Sequence, residues 1–169
     1  LVMQLETPLE SVLEAVDIAA AADVQVILNP APAQALPDQL LAGITVLIPN
    51  ESEAGLLTGI DVSDQESARK AADLLHLKGV AKVIITMGAR GAFVSETNRE
   101  VMIPGFKVNP LDTTAAGDVF TGTLAVALAE GKPLDDAVHF ASAAAALSVT
   151  RQGAQPSIPV RPEIETFLA

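Results

Sequence analysis

Four apolar runs set the rhythm of this chain: LVMQLE at 1–6, VQVILN at 24–29, TVLIPN at 45–50 and VAKVIITMG at 80–88. Each is short, nearly continuous and closed by a turn or cap residue, so each predicts a buried strand. Helical patterns fill the gaps. Thr7 as N-cap, Pro8 at the first helical position and Glu10 closing a capping box predict a helix running to about Ala22. Asn50 predicts the cap of a short helix, ESEAGLLT, that stops at Gly59. SDQE at 63–66 predicts a capping box opening a helix that ends at Gly79. AFVSETNREVMIPG reads as a hairpin turning at Thr97-Asn98. Two helices then follow, from Ala115 to Gly131 and over PLDDAVHFASAAAALSVT, before a Gly/Pro loop and a short C-terminal helix.

Strands that are apolar throughout and alternate with helices predict an α/β fold, a three-layer αβα arrangement with a mostly parallel central sheet. Ligands of such sheets bind beyond the carboxyl ends of the strands. The loops to watch are therefore 50–53, 87–91 and 112–118, which this rule gathers on one edge. No repeat or low-complexity linker divides the chain, so 1–169 reads as one domain.

Composition narrows the picture. Half of the 169 residues are hydrophobic, enough for one sizeable core. With no cysteine, disulfides and thiolate metal sites are excluded. The 10 basic and 21 acidic residues give a net charge of −11, the acids are scattered, and no basic stripe suits nucleic acid. No apolar run reaches the roughly 18 residues of a membrane span, and no signal-peptide pattern is present. The chain opens on a strand rather than on Met, which predicts further sequence upstream. Neither G-x-x-x-x-G-K-[ST] nor G-x-G-x-x-G occurs, so a P-loop and a dinucleotide fingerprint lack support.

The stretch LDTTAAGDVFTG, from Leu111 to Gly122, carries the most chemistry. Small residues at the start of a helix leave N–H groups without intrahelical acceptors, and the helix dipole adds positive potential there. Ala115, Ala116 and Gly117 thus form a candidate anion hole, with Asp118 a candidate base facing the anion. Asp112 precedes the turn, where it can hold a cation or orient the loop. A capped helix with small residues for packing, and Asp118 only as an acid complementing the dipole, fits the same residues.

DTTAAGDVFTG resembles the C-terminal signature of the ribokinase-like carbohydrate kinase family, D-T-x-G-A-G-D-x-F-x-G. PNESEA is similar to that family's N-x-x-E motif, ITMGARGA to its nucleotide loop, and AAAALSVTRQGAQPSIP to its monovalent-cation and adenine-side segment. These occur in family order over essentially the whole chain. Ala115 stands where the general motif has Gly; its N–H remains available at a helix start. Ser142 stands where members acting on ribose often carry His, giving a smaller adenine contact.

The resemblance implies site roles. Asp118 would be the general base that also touches the sugar, and the amides of Ala115, Ala116 and Gly117 the hole for the transferring phosphoryl. Asn50 and Glu53 would hold phosphate and hydrated Mg²⁺, although a cap and a first-turn acid read the same way. Thr86, Met87, Gly88, Ala89, Arg90 and Gly91 would cover the nucleotide phosphates and ribose, or form an ordinary turn. Asp112, Thr114, Ser148, Arg151, Gly153 and Ser157 match the K⁺ site, mostly through backbone carbonyls. Glu6 matches a contact to sugar hydroxyls, where an exposed strand-end Glu is the plain alternative. His76 and His139 read as helix-surface residues.

LNPAPA and TRQGAQPS are most similar to the family members acting on D-ribose. The implied reaction is ATP plus D-ribose to ribose 5-phosphate and ADP, with Mg²⁺ and K⁺ as cofactors, in a cytoplasmic homodimer. The alternatives are another sugar or nucleoside kinase of the family, or a nucleotide-binding fragment without catalysis. The resemblance places this chain as the C-terminal nucleotide-binding and catalytic portion, with the N-terminal half and lid absent. Most sugar-reading residues would then lie upstream, and the 169 residues alone are expected to be inactive.

Overall fold

The computed structural model describes residues 1–169. Six strands form one sheet in the sequential order β1 (Val2–Met3), β2 (Ile27–Leu28), β3 (Val46–Leu47), β4 (Lys82–Thr86), β5 (Gly91–Glu96) and β6 (Arg99–Pro104). The helices are α1 (Leu9–Ala21), α2 (Asp38–Ala42), α3 (Glu51–Thr58), α4 (Gln65–Leu77), α5 (Ala116–Ala129), α6 (Leu134–Ser148) and α7 (Arg161–Leu168). The first four strands are parallel, with Val2 beside Ile27, Ile27 beside Val46 and Val46 beside Lys82. This is the α/β fold with the mostly parallel sheet that the apolar runs predict.

The chain forms two compact units, Leu1–Met87 with Phe93–Met102 and Gly88–Ala92 with Ile103–Ala169. The first holds β1 to β4, α1 to α4 and a core that includes Leu28, Leu40, Leu47, Leu75, Ile85 and Phe93. In it, α3 and α4 pack against each other and against β4. The second is helical, with α5 packed along α6 and α7 against α6.

Several local predictions hold. Asn50 caps α3 through a full capping box and Gly59 ends it in the left-handed region, at φ 77°. Two residues, Thr97 and Asn98, turn the β5–β6 hairpin, with Asn98 at φ 62°. Other boundaries move. Helix α1 begins at Leu9, and Thr7 makes no cap: Pro8 is extended, and its carbonyl accepts the Ser11 and Val12 N–H groups. The box opening α4 sits one residue later than expected, between Asp64 and Ser67. Helix α2, in a stretch to which the sequence pattern assigns no element, is a single short turn after Pro37. Strands β1 to β3 pair over only two residues each, because a ladder extends only as far as both neighbours stay in register. LVMQLE is not a buried strand: β1 lies at the sheet edge, with Leu1 and Val2 45% and 46% exposed.

Candidate functional site

In the first unit the candidate residues lie at the strand ends. Asn50 forms a parallel bridge to Thr86, whose N–H donates to the Pro49 carbonyl at 2.9 Å. The ends of β3 and β4 are thereby fixed side by side. The Glu53 N–H donates to Asn50 Oδ1 at 2.9 Å, and the Asn50 N–H donates to Glu53 Oε2 at 2.8 Å. The Ser52 hydroxyl also donates to Asn50 Oδ1, at 2.7 Å. Both side chains therefore act as caps. The Asn50 amide nitrogen and the second Glu53 oxygen make no bond within the protein.

Glu53 is only 7% exposed. Burial pushes its carboxyl above the ordinary glutamate value, and the bond from the Asn50 N–H offsets part of that. A cation beside the unused oxygen would favour the ionised form. Hydrated Mg²⁺, which keeps several waters and needs few carboxylates, fits this donor. Met87 departs from its predicted role as far as its side chain is concerned, for that side chain is packed in the core and leaves only the backbone to meet a ligand. Glu6 is exposed just beyond β1. Between these positions lies a polar residue to which the sequence pattern assigns no role. Asn29, 8% exposed, accepts from Gln4 Nε2 at 2.8 Å and donates through Nδ2 to the Ile48 carbonyl at 2.9 Å. Its sequence signal is faint: a polar residue closing an apolar strand.

In the second unit, residues Gly88–Arg90 form a 3₁₀ turn, and Gly91 opens β5 at φ 107°. A Cβ on Gly91 would collide with the Ile103 carbonyl, so this glycine is required by the close approach of β5 and β6. The Gly105 N–H donates to the Arg90 carbonyl at 3.2 Å, which closes the turn.

The helix start differs from expectation at one residue. Helix α5 begins at Ala116, and Ala115 stands outside it as N-cap in the left-handed region, at φ 62° and ψ 10°. A Cβ is unfavourable there, which explains why the family motif has Gly. The Ala116 N–H reaches back to the Thr113 carbonyl at 3.3 Å, whereas those of Ala115 and Gly117 have no backbone acceptor. The open part of the predicted anion hole is thus Ala115 and Gly117. Asp118 lies exposed on the first turn of α5.

Asp112 organises the approach to that turn. Its Oδ1 accepts the Thr114 N–H at 2.9 Å and the Thr114 hydroxyl at 2.6 Å, and its Oδ2 accepts the Gly153 N–H at 2.8 Å. The Thr114 hydroxyl first, then the Thr114 and Gly153 N–H groups, hold its carboxyl below the ordinary aspartate value. The Leu111 N–H donates to the Val149 carbonyl at 2.7 Å. Segments 111–114 and 149–153 are therefore brought together, as the reading of TRQGAQPS expects. The hydroxyls of Ser148 and Ser157 donate to their own backbone at Ala145 and Ala154. Arg151 makes a two-pronged pair with Glu163, at 2.7 and 3.2 Å. Both serine hydroxyls donate within the protein and the guanidinium is paired, which leaves the hydroxyl and carbonyl oxygens as the acceptors of this loop. Ser142 is buried on α6.

The histidines differ from a simple surface reading. His76 Nδ1 lies 2.8 Å from the Val80 carbonyl and Nε2 lies 2.9 Å from the Ser95 hydroxyl, tying the end of α4 to β5. His139 is exposed but stacks on Phe106, with ring centroids 5.1 Å apart.

The sheet with its polar strand ends is that of an α/β protein, and the start of α5, taken by itself, offers open N–H groups of the kind that can accept a phosphate. The chain matches the pfkB family carbohydrate kinase profile over residues 2–161. It belongs to that family. It is 54% identical to the ribokinase of Haemophilus influenzae over 168 residues, which is 99% of this chain and 55% of that protein. To the ribokinase of Staphylococcus aureus it is 42% identical, over 96% of this chain and 54% of that one. The Arabidopsis thaliana ribokinase complexed with ribose and ATP superposes with a TM-score of 0.95 at 33% identity, covering 99% of this chain and 55% of that one. The chain thus spans about half the length of the curated relatives it matches.

Proposed function

We propose that the complete protein carrying this chain transfers the terminal phosphoryl group of ATP to the 5-hydroxyl of D-ribose, giving ribose 5-phosphate and ADP. The observation that carries the reading is the start of α5, where the open Ala115 and Gly117 N–H groups precede a first-turn carboxylate, Asp118, in a sequence 54% identical to a named ribokinase. Asp118 takes the proton of the 5-hydroxyl while the hydroxyl oxygen bonds to the γ-phosphorus. The bond from that phosphorus to the bridging oxygen breaks, and its electron pair leaves on ADP. The open amides hold the charge that develops on the phosphoryl oxygens, the main catalytic demand of such a transfer.

Glu53 and Asn50 hold hydrated Mg²⁺ and phosphate through the carboxylate oxygen and amide nitrogen that the capping box leaves unused. Bound Mg²⁺ would neutralise phosphate charge. Thr86 to Gly91 cover the nucleotide, Met87 by its backbone, and Ser142 lies on the adenine side. Glu6 binds sugar hydroxyls. K⁺ is assigned to the carbonyls of the 149–157 loop, which Asp112 anchors through Gly153. No helix is long and apolar enough to cross a membrane; a homodimer acting in the cytoplasm completes the proposal. The reaction is assigned to the complete protein rather than to these 169 residues alone.

A coupled assay of ADP release over a panel of pentoses, hexoses, sugar acids and nucleosides tests the reading. The expected result is a kcat/KM for D-ribose above that for every other acceptor. Preference for another acceptor would replace the substrate, and no turnover with any would overturn the activity.

A further inference from the structure

The Asn29 side chain spans three parallel strands at the end where the candidate site lies. On one side its Oδ1 accepts from Gln4 Nε2, and its N–H donates to the Met3 carbonyl at 3.0 Å. Two residues further along the chain, the Leu5 N–H donates to the Ala31 carbonyl at 2.7 Å, which pins the segment leading directly into Glu6. On the other side Asn29 Nδ2 donates to the Ile48 carbonyl, two residues before Asn50. The β3 ladder ends at Leu47, and residues 48–50 beyond it are held by individual bonds. The Ile48 N–H is held by the Leu28 carbonyl at 2.8 Å, and Thr86 grips Pro49 from the β4 side. Asn29 supplies the side-chain bond from β2 to the Ile48 carbonyl, and it is buried where water does not substitute for it.

We propose that Asn29 is a positioning residue, a crossbar that sets the sugar-side Glu6 segment and the phosphate-side Asn50–Glu53 cap in one fixed register. This rests on the kinase reading above, because the two ends it joins are those assigned to acceptor and donor. Its amide suits this role because one end accepts, the other donates, and both are used. Small displacements of a reacting group are costly, roughly 10²-fold for about 1 Å.

The test compares Asn29→Leu and Asn29→Asp in the complete enzyme, well below their melting temperatures. Asn29→Leu removes both bonds at similar volume, and it should raise KM for both ribose and Mg·ATP and lower kcat, for a combined loss of about tenfold or more in kcat/KM. Asn29→Asp keeps the acceptor for Gln4 but sets an oxygen against the Ile48 carbonyl. When protonated, a buried Asp regains a donor. Its kcat/KM relative to wild type should therefore recover as pH falls, whereas Asn29→Leu shows no recovery. A residue that only supported the fold would lower Tm and leave KM, kcat and this pH profile unchanged in the folded variants; that result overturns the crossbar. A wild-type enzyme that phosphorylates no sugar overturns the kinase reading and the crossbar's role with it. A wild-type enzyme that does so, beside an Asn29→Leu variant with unaltered constants, overturns the crossbar alone.

Discussion

Replacing Ala115 with Gly should stabilise the protein, although exchanging Ala for Gly within a helix ordinarily does the reverse. The reason is the backbone at this residue, φ 62° and ψ 10°, in the left-handed region. There the Cβ crowds the neighbouring carbonyl, a cost of roughly 1–2 kcal/mol for an ordinary L-residue. Glycine avoids that cost but has more freedom to lose from the unfolded chain, about 0.5–1 kcal/mol. The difference leaves a gain of about 0.5–1 kcal/mol. At roughly 2–4 °C per kcal/mol for a chain of this size, Tm should rise by about 1–4 °C. Urea titration supplies the free energy, with an unchanged slope showing that the compactness of the folded and unfolded states is unaltered. Because the N–H is retained, kcat and ADP affinity should not change. A loss of about 0.5–1 kcal/mol would mean that residue 115 has ordinary helical backbone, and would refute the account of the turn beneath Asp118.

Glu53 separates capping from catalysis: Glu53→Gln keeps an acceptor for the Asn50 N–H, whereas Glu53→Ala should cost about 1 kcal/mol of stability through the lost cap. Both should lower activity by about 10–100-fold, as expected for an outer-shell metal partner, and a Gln variant with wild-type kcat would remove Mg²⁺ from this residue. Because burial raises the Glu53 pKa, this carboxyl favours the folded chain at pH below the ordinary glutamate value, and that contribution is lost as pH rises through the raised value. The stability of Glu53→Gln relative to wild type should accordingly increase from about pH 4 to pH 7, and a flat difference in chemical denaturation would contradict the burial. K⁺ should activate the complete enzyme more than Na⁺ or a large organic cation, through the loop that Gly153 ties to Asp112; equal rates in all three would exclude that role.

What the sequence makes legible is local. The Asn50–Glu53 cap, the stop at Gly59 and the turn at Thr97-Asn98 are decided within a few residues, and sequence spacing displays such bonds directly. The link from 149–153 to Asp112 is anticipated only through the family resemblance, because a contact 41 residues apart has no periodic signature. Ala115 reads as a helix former, and only the three-dimensional path of the DTTAAGD turn reveals that its φ is positive. Thr7 and Ser63 lose their capping roles to Pro8 and Asp64 by one residue, a shift that cap propensities alone do not resolve. The contacts of Asn29 and His76 are missed for the same reason: the partners lie 19 to 25 residues away for Asn29, and for His76 one of the two lies 19 away. A buried amide or a half-buried imidazole acquires its meaning only when those strands meet.

The central claim is that Asp118 removes the proton from the acceptor hydroxyl, and Asp118→Asn in the complete enzyme tests it most directly. The substitution keeps size and shape but removes the base, whose assistance contributes typically ~10²–10⁴-fold. Steady-state turnover of D-ribose should fall by about that factor, while calorimetry shows ADP binding nearly unchanged. An Asn variant that keeps more than about a tenth of wild-type kcat, below the least contribution expected of a general base, would contradict the account.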